Sequence, residues 1–262
     1  MDCNCFRENL PALYADWGRP TVRPQCSQFS SVLQSVRGMT TPCVLQLLSF
    51  AVGCLENEEV YAEVGCYHGA TLIGALLNHP AAKALAADNF SEFDPSGQNR
   101  QTLFTNLEAF GLSKQVQFHD QDAEDFLADL RSSSHRLGVY FYDGAHDYRS
   151  QLMGLLLAVP VLAPHAMIIV DDANFAGARQ SVLDFMAVYP QARLLFDIPT
   201  PANCHPTFWN GLLVLDWDAQ RQEATLRDTL RQGRQAALLE SINVLQRIQL
   251  TVQGNQILVK PI

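Results

Sequence analysis

The feature that most constrains this chain is a recurring unit in which a short apolar run stops at a glycine or an aspartate and a helical segment follows. Glu59-Val60-Tyr61-Ala62-Glu63-Val64 stops at Gly65, residues 137–142 stop at Asp143-Gly144, and Met167-Ile168-Ile169-Val170 stops at Asp171-Asp172. A nearly uninterrupted apolar strand is expected where helices cover both faces of a sheet. Strand and helix units repeating at this length imply a mostly parallel sheet with right-handed crossovers.

Carried along the chain, this pattern predicts strands at 59–64, 83–87, 115–119, 137–142, 167–170, 192–196 and 211–215. Helices are expected at 70–77, 100–110, 122–130, 148–159 and 178–188. The expected fold is α/β, a Rossmann-like seven-stranded, mostly parallel sheet flanked by helices. Residues 1–56 read as an N-terminal helical arm packed on this unit. Its first 20 residues look irregular and anchored by Phe6, Tyr14 and Trp17, with helices at 27–36 and after Thr41-Pro42. The polar segment 91–98, with Pro95 and Gly97, reads as a loop able to move over a site. Residues 219–262 read as an extension: an amphipathic helix over 220–240, then a hairpin of 244–252 and 256–260. That extension suits a sheet edge or a subunit contact, so a homodimer is one expectation.

The 262 residues suffice for one large core, and 48% hydrophobic against 17% charged residues is a globular composition. The formal charge of −9, with no run of lysine or arginine, argues against a nucleic-acid partner. Residues 1–10 lack the basic and apolar segments of a secretion signal, and no apolar run approaches the roughly 20 residues of a membrane span. A cytoplasmic protein with no membrane partner is the expectation. Seven cysteines without a C-x-x-C pair are expected to be free thiols.

In an open parallel sheet, ligands collect beyond the carboxyl ends of the strands. Glu63-Val64-Gly65-Cys66-Tyr67-His68-Gly69 occupies such an end, with glycines suited to a tight turn and to close approach at a helix start. It lacks the middle glycine that a pyrophosphate needs in the dinucleotide fingerprint. Asp88-Asn89 follows the second strand, 23 residues after Gly65, where a carboxylate can accept from both ribose hydroxyls. Together these features favour S-adenosylmethionine over NAD. Asp122, followed by Ala123, is placed either to accept from the adenine amino group or to cap the helix it begins. Phe90 or Phe118 would pack on adenine or belong to the core.

Asp143, Asp171 and Asp172 end sequential strands, which often lie side by side, so the three carboxylates can converge. Three such groups repel unless a proton or cation intervenes, and oxygen ligands suit Mg2+, Mn2+ or Ca2+. A metal on a hydroxyl oxygen would lower its pKa and fix it near a methyl donor. The plainer alternative for Asp171 and Asp172 is a surface turn with a helix cap. His146 would orient the donor or accept a proton, with Tyr148 lining the donor pocket; His205 is the competing base, and His68 would shape the cofactor turn.

In order and spacing, Glu63-Val-Gly65-x-x-x-Gly69, Asp143-Gly-x-His146-x-Tyr148 and Ile168-Ile-Val-Asp171-Asp172 resemble the class I S-adenosylmethionine-dependent methyltransferases. Within them, the chain resembles the macrocin-type sugar O-methyltransferases. The resemblance covers roughly 59–216 and makes 57–218 the cofactor-binding catalytic domain. It implies that Glu63, Gly65 and Gly69 surround the methionine part of the cofactor, that Asp88 binds the ribose, and that Asp122 and Ala123 border adenine; Cys66, Tyr67, His68 and Asn89, their neighbours in the two turns, are expected to bind the cofactor with them. It also implies that Asp143, Asp171 and Asp172 hold Mg2+ or another divalent cation, and that Asp172 keeps a charge where catechol-type relatives carry asparagine. Relatives have a proline and two glycines before the fifth strand. Pro164-His165-Ala166 stands there instead and predicts a different turn. The expected activity is O-methyl transfer to a small-molecule hydroxyl, a sugar or natural product. The alternatives are metal-independent transfer, a nicotinamide oxidoreductase and a non-catalytic binding scaffold.

Overall fold

The computed structural model describes residues 1–56, 58–222, 248–253 and 256–261. Its centre is a seven-stranded sheet of order β5-β4-β3-β6-β7-β9-β8. The strands are β3 (Glu59–Val64), β4 (Ala84–Ala87), β5 (Val116–His119), β6 (Arg136–Tyr142), β7 (Leu162–Val170), β8 (Ala192–Ile198) and β9 (Leu212–Asp218). The first five are parallel, while β9 runs antiparallel to both β7 and β8. The expected α/β fold is therefore present, with each strand close to its predicted position.

Alternate residues of each strand enter two different cores. Tyr61, Val139, Phe141, Met167 and Ile169 join one cluster; Val60, Ala62, Val64, Tyr140, Tyr142, Ile168 and Val170 join the other. Because helices cover both faces, neither face needs polar residues, which explains the continuous apolar runs. One face is covered by α1 (Cys3–Asn9), α2 (Gln28–Ser35), α3 (Pro42–Gly53), α4 (Ala70–Leu76) and α5 (Asn99–Ala109). The other is covered by α6 (Ala123–Leu130), α7 (Tyr148–Ala158) and α8 (Ala176–Val188).

Two expectations need correction. The first 20 residues are more regular than predicted: Asp2 accepts from the Cys5 amide at 2.8 Å, which caps α1, and a 3-10 turn follows at Leu10–Leu13. Phe6, Tyr14 and Trp17 do anchor the arm. Phe6 stacks on Phe50 with ring centroids 5.6 Å apart, and Tyr14 lies 5.7 Å from Phe208. A short antiparallel pair, β1 (Tyr14–Ala15) with β2 (Arg23–Pro24), closes the arm.

The second correction concerns Pro164-His165-Ala166, which form no turn. They belong to β7, where His165 and Ala166 pair with Asp218 and Trp217 of β9. The Pro164 carbonyl accepts from the Ala219 amide, so the missing glycines are answered by a longer strand.

The extension's helix over 220–240 falls almost wholly outside the described residues. Its two strands, β10 (Ile248–Gln253) and β11 (Gln256–Pro261), pair antiparallel as a hairpin should. No helix among the described residues is long and apolar enough to cross a membrane, and all seven cysteines are unbridged.

Phe6 is fully buried among the rings that tie the arm to the sheet face. Phe6→Ala should destabilise the fold by about 3–5 kcal/mol, read as a lower urea midpoint with an unchanged slope. An unchanged midpoint would show that the arm is not part of the cooperative core.

Candidate active site

Three consecutive links of the parallel sheet build the site. The Asp143 amide donates to the Val64 carbonyl at 2.9 Å, the Asp171 amide to the Tyr142 carbonyl at 3.0 Å, and the Gly65 amide to the Ala87 carbonyl at 2.9 Å. The residues that end β3, β4, β6 and β7 are thereby held side by side, along a cleft of about 600 Å³. Gly65 has φ +84°, and a Cβ built there would stand 2.0 Å from the Asp143 carbonyl oxygen. Glycine is required by that close approach as well as by its backbone angle.

Strain collects around this cleft. Among the described residues nine that are not glycine have positive φ, and six of them line it: Tyr67, Phe90, Phe93, Asp172, Cys204 and Trp209. Such conformations cost about 1–3 kcal/mol each and persist where the surrounding structure over-determines them, typically at functional sites.

The cofactor-side residues sort into two layers. Gly65, Cys66, Tyr67, Asp88, Asn89, Asp122 and Ala123 line the cleft. Both Asp88 oxygens are engaged: one accepts from the Tyr67 amide at 2.7 Å, the other from the Phe90 amide at 2.8 Å. Burial nevertheless raises the Asp88 carboxyl above its ordinary range, against those hydrogen bonds. Asp122 caps α6 by accepting from the Glu124 amide at 2.9 Å, while its other oxygen faces Asn89 at 3.4 Å. The capping role predicted for Asp122 is thus present beside its place in the cleft.

Glu63, His68 and Gly69 form the supporting layer and do not line the cleft. Gly69, at φ +87°, opens α4. His68 stacks on Tyr67 with centroids 3.8 Å apart, and its Nε2 meets Asn99 Oδ1 at 2.8 Å. Glu63 is fully buried; Tyr61 and Thr71 both donate hydroxyl hydrogen bonds to it, at 2.5 and 2.7 Å. Burial pushes its carboxyl up to about 7, and the two hydroxyls pull the other way.

At the other end, Asp143, Asp171 and Asp172 line the same cleft, so the predicted convergence of these carboxylates is present. Asp143 is pushed well above the carboxylate range by burial and by the charges of Glu63 and Asp172; Asp171 is pushed up by burial and by Asp143 and Asp172. His146 Nε2 lies 3.5 Å from Asp143 Oδ1 and 3.3 Å from Asp172 Oδ2. The donor chemistry fits a hard cation, and one oxygen of buried Asp171 has no hydrogen-bond partner. Among the described residues, however, no three histidine, cysteine, aspartate or glutamate groups are arranged to hold a metal ion.

Two further predicted site residues lie outside the cleft lining. The Tyr148 hydroxyl donates to Asp184 of α8 at 2.9 Å. His205 pairs through its backbone with Trp209 and through Nδ1 with the Thr207 hydroxyl at 2.7 Å. Its neighbours Cys204, Trp209 and Asn210 reach the cleft instead. Asn210 was not foreseen, yet its Nδ2 donates to Asp172 Oδ1 at 2.7 Å. Met39, Thr40 and Thr71 also line the cleft. Only Thr71, two residues past Gly69, had a nearby sequence signal.

Residues 62–173 match the family described as "Methyltransferase domain". The chain carries a methyltransferase domain of the S-adenosylmethionine-dependent class. No curated protein matches the chain. Among solved structures, it is similar to the O-methyltransferase from Bacillus cereus in complex with SAH, with a TM-score of 0.54 and 14% identity over 74% of this chain and 92% of that one. It is also similar to the cofactor-bound Rv0187 from MTB, with a TM-score of 0.55 and 17% identity over 75% and 92% of the two chains. A third is the O-methyltransferase TomG from Streptomyces achromogenes, involved in tomaymycin synthesis and in complex with SAM. Its TM-score is 0.51, with 15% identity over 67% and 78%. At these identities the likeness establishes the fold of the methyltransferase domain, and it gives no specific link to the macrocin-type branch.

The raised Glu63 carboxyl predicts a pH dependence of folding. Its folded pKa of about 7 lies above the ordinary value of 4.5, so its contribution is fully present below pH 4.5 and lost as pH rises through about 7. The loss amounts to about 3 kcal/mol. Glu63→Gln should therefore gain stability relative to wild type between pH 4.5 and 7, measured by urea unfolding across that range. A constant difference would show that Glu63 is ionised at no cost.

Proposed function

We propose that the protein transfers the methyl group of S-adenosylmethionine to a hydroxyl of a small-molecule acceptor, and that His146 takes the hydroxyl proton. The observation that carries this reading is the place of His146, in the cleft and within ion-pair distance of both Asp143 and Asp172. The Asp172 carboxylate beside the ring stabilises the charge it acquires on taking a proton, and the two aspartates together fix its orientation. Asn210 holds Asp172 in turn, so the ring is braced from the β9 side as well.

The cofactor supplies an electrophilic methyl group on a sulfonium. The backbone turn at Gly65 and Cys66 would receive its methionine part, Asp88 its ribose through the two lone-pair sites left by the amide bonds, and Asp122 with Ala123 its adenine edge. Glu63 and His68 act from beneath, through Thr71 and Tyr67. The acidic lining of the cleft favours the positive sulfonium electrostatically. Closing the cleft around both substrates would exclude water from the reaction.

A second reading is favoured by the partnerless oxygen of Asp171 and the raised carboxyls of Asp143 and Asp171. In it, Asp143, Asp171 and Asp172 would hold Mg2+ or a similar cation, which would acidify the acceptor hydroxyl and orient it.

His146→Gln should lower kcat about 10²- to 10⁴-fold and leave the affinity for SAH, measured by calorimetry, unchanged. Chelation separates the two readings. Activity that survives EDTA supports His146 acting on the hydroxyl directly, and activity lost and then restored by Mg2+ supports the cation. A His146→Gln enzyme of full activity in EDTA would remove the first reading.

A further inference from the structure

The glycine turn at 65–69 is held from outside by one stripe of α5. Asn99, Leu103 and Asn106 are spaced four and three residues apart, so they share one face of that helix. The Asn106 side-chain amide donates to the His68 carbonyl at 2.9 Å, and a Cβ at Gly69 would stand 2.8 Å from Leu103 Cδ1. Asn99 Oδ1 meets His68 Nε2 at 2.8 Å. The His68 ring carries that contact on to Tyr67, whose ring stacks on the imidazole with 10° between the planes.

Asn99 is only 5% exposed, and both ends of its amide are used. Its Nδ2 donates to the Phe93 carbonyl at 3.1 Å. That bond fixes the amide orientation, so Oδ1 is the atom turned to His68 and the imidazole Nε2 is the donor. Phe93 stands at φ +57° with its ring largely exposed, and it lines the cleft together with Tyr67 and Asp88. A bulky residue keeps such a backbone angle only where its surroundings hold it. Asp94 supplies the rest of the hold: its two oxygens accept from the Gln98 and Asn99 amides at 2.8 and 3.2 Å. Neither Asn99 nor His68 lines the cleft. Two parts of the cleft wall, Tyr67 and Phe93, therefore hang on one buried side-chain amide that does not reach the cleft itself.

We propose that Asn99 is a positioning residue for the cofactor, joining Phe93 to the glycine turn through His68 so that the two walls hold the bound cofactor as one unit. This rests on the S-adenosylmethionine reading above and adds a residue that reading does not use. Asparagine suits the place because it donates and accepts at once. A leucine of similar volume would leave the Phe93 carbonyl and the His68 Nε2 without partners. With the cofactor against Asp88 and Tyr67, the open face of the Phe93 ring is covered, and release requires that ring to leave its seat. Loss of the Asn99 bond lets the ring swing clear, so the effect falls on the rate of cofactor escape.

The test is a double-mutant cycle on the full chain, read as the rate of SAH release by surface plasmon resonance, with unfolding midpoints measured in parallel. Phe93→Ala should raise that rate about tenfold or more. Asn99→Asp keeps an acceptor for His68 and loses the donor to Phe93. It should raise the rate by a similar factor in the wild-type background and by less than about twofold in Phe93→Ala, because the ring it positions is already gone. His68→Phe retains the stack on Tyr67 and loses the bond to Asn99, and it too should speed release. Where Asn99→Asp fails to fold, His68→Phe against Phe93→Ala completes the cycle, with the same shrinking of its effect. A wild-type release rate in Asn99→Asp, or factors that simply multiply in the double variant, would overturn the relay, and the SAH binding seen in that experiment leaves the methyltransferase reading standing. A wild-type chain that binds no SAH would overturn that reading and the proposal with it.

Discussion

Everything in the cleft depends on the parallel ladder that joins β3 to β6 and β6 to β7. Those hydrogen bonds bring three strand ends into line, so that Gly65 lies against the Asp143 backbone and Asp171 lies beside Tyr142. A Cβ at Gly65 would collide with the Asp143 carbonyl, so the glycine turn and the acidic cluster are one structural unit. The apolar residues on both faces of these strands hold that unit rigid, since each alternate side chain is locked in a different core.

The second consequence is electrostatic. Burial raises both Asp143 and Asp171 above the carboxylate range, and nearby charges add to it: Glu63 and Asp172 for Asp143, Asp143 and Asp172 for Asp171. A protein does not keep such a set at no cost; the stored repulsion is relieved when positive charge arrives. The sulfonium of the donor, an imidazolium at His146 and a divalent cation all meet that need. What the comparisons add is the methyltransferase class of the domain, which decides between a sulfonium donor and the nicotinamide considered from the glycine turn alone.

Strands and helices of the central unit were legible because their period was unambiguous: runs buried on both faces lie between turns marked by glycine and aspartate. The acidic ends of β6 and β7 were legible for the same reason, since consecutive strands joined by a helix usually lie side by side. The α1 helix was missed because its cap, Asp2, sits in a segment whose prolines and aromatics suggested irregular chain. Tyr148 and His205 were drawn into the predicted site by sequence proximity to Asp143 and to β9. Yet helix phase turns Tyr148 toward Asp184 of α8, and His205 is held in a backbone bridge with Trp209 outside the cleft lining. Asn210 was invisible, because its importance comes from a hydrogen bond to Asp172 that no local pattern encodes.

The most direct measurement is a crystal structure of the protein with SAH and an acceptor analogue. The account predicts SAH along the Gly65 turn with its sulfur pointing to the Asp143 end, and the acceptor oxygen within hydrogen-bond distance, about 3 Å, of His146. SAH bound elsewhere, or an acceptor oxygen lying on the far side of the sulfur from His146 and Asp172, would contradict it.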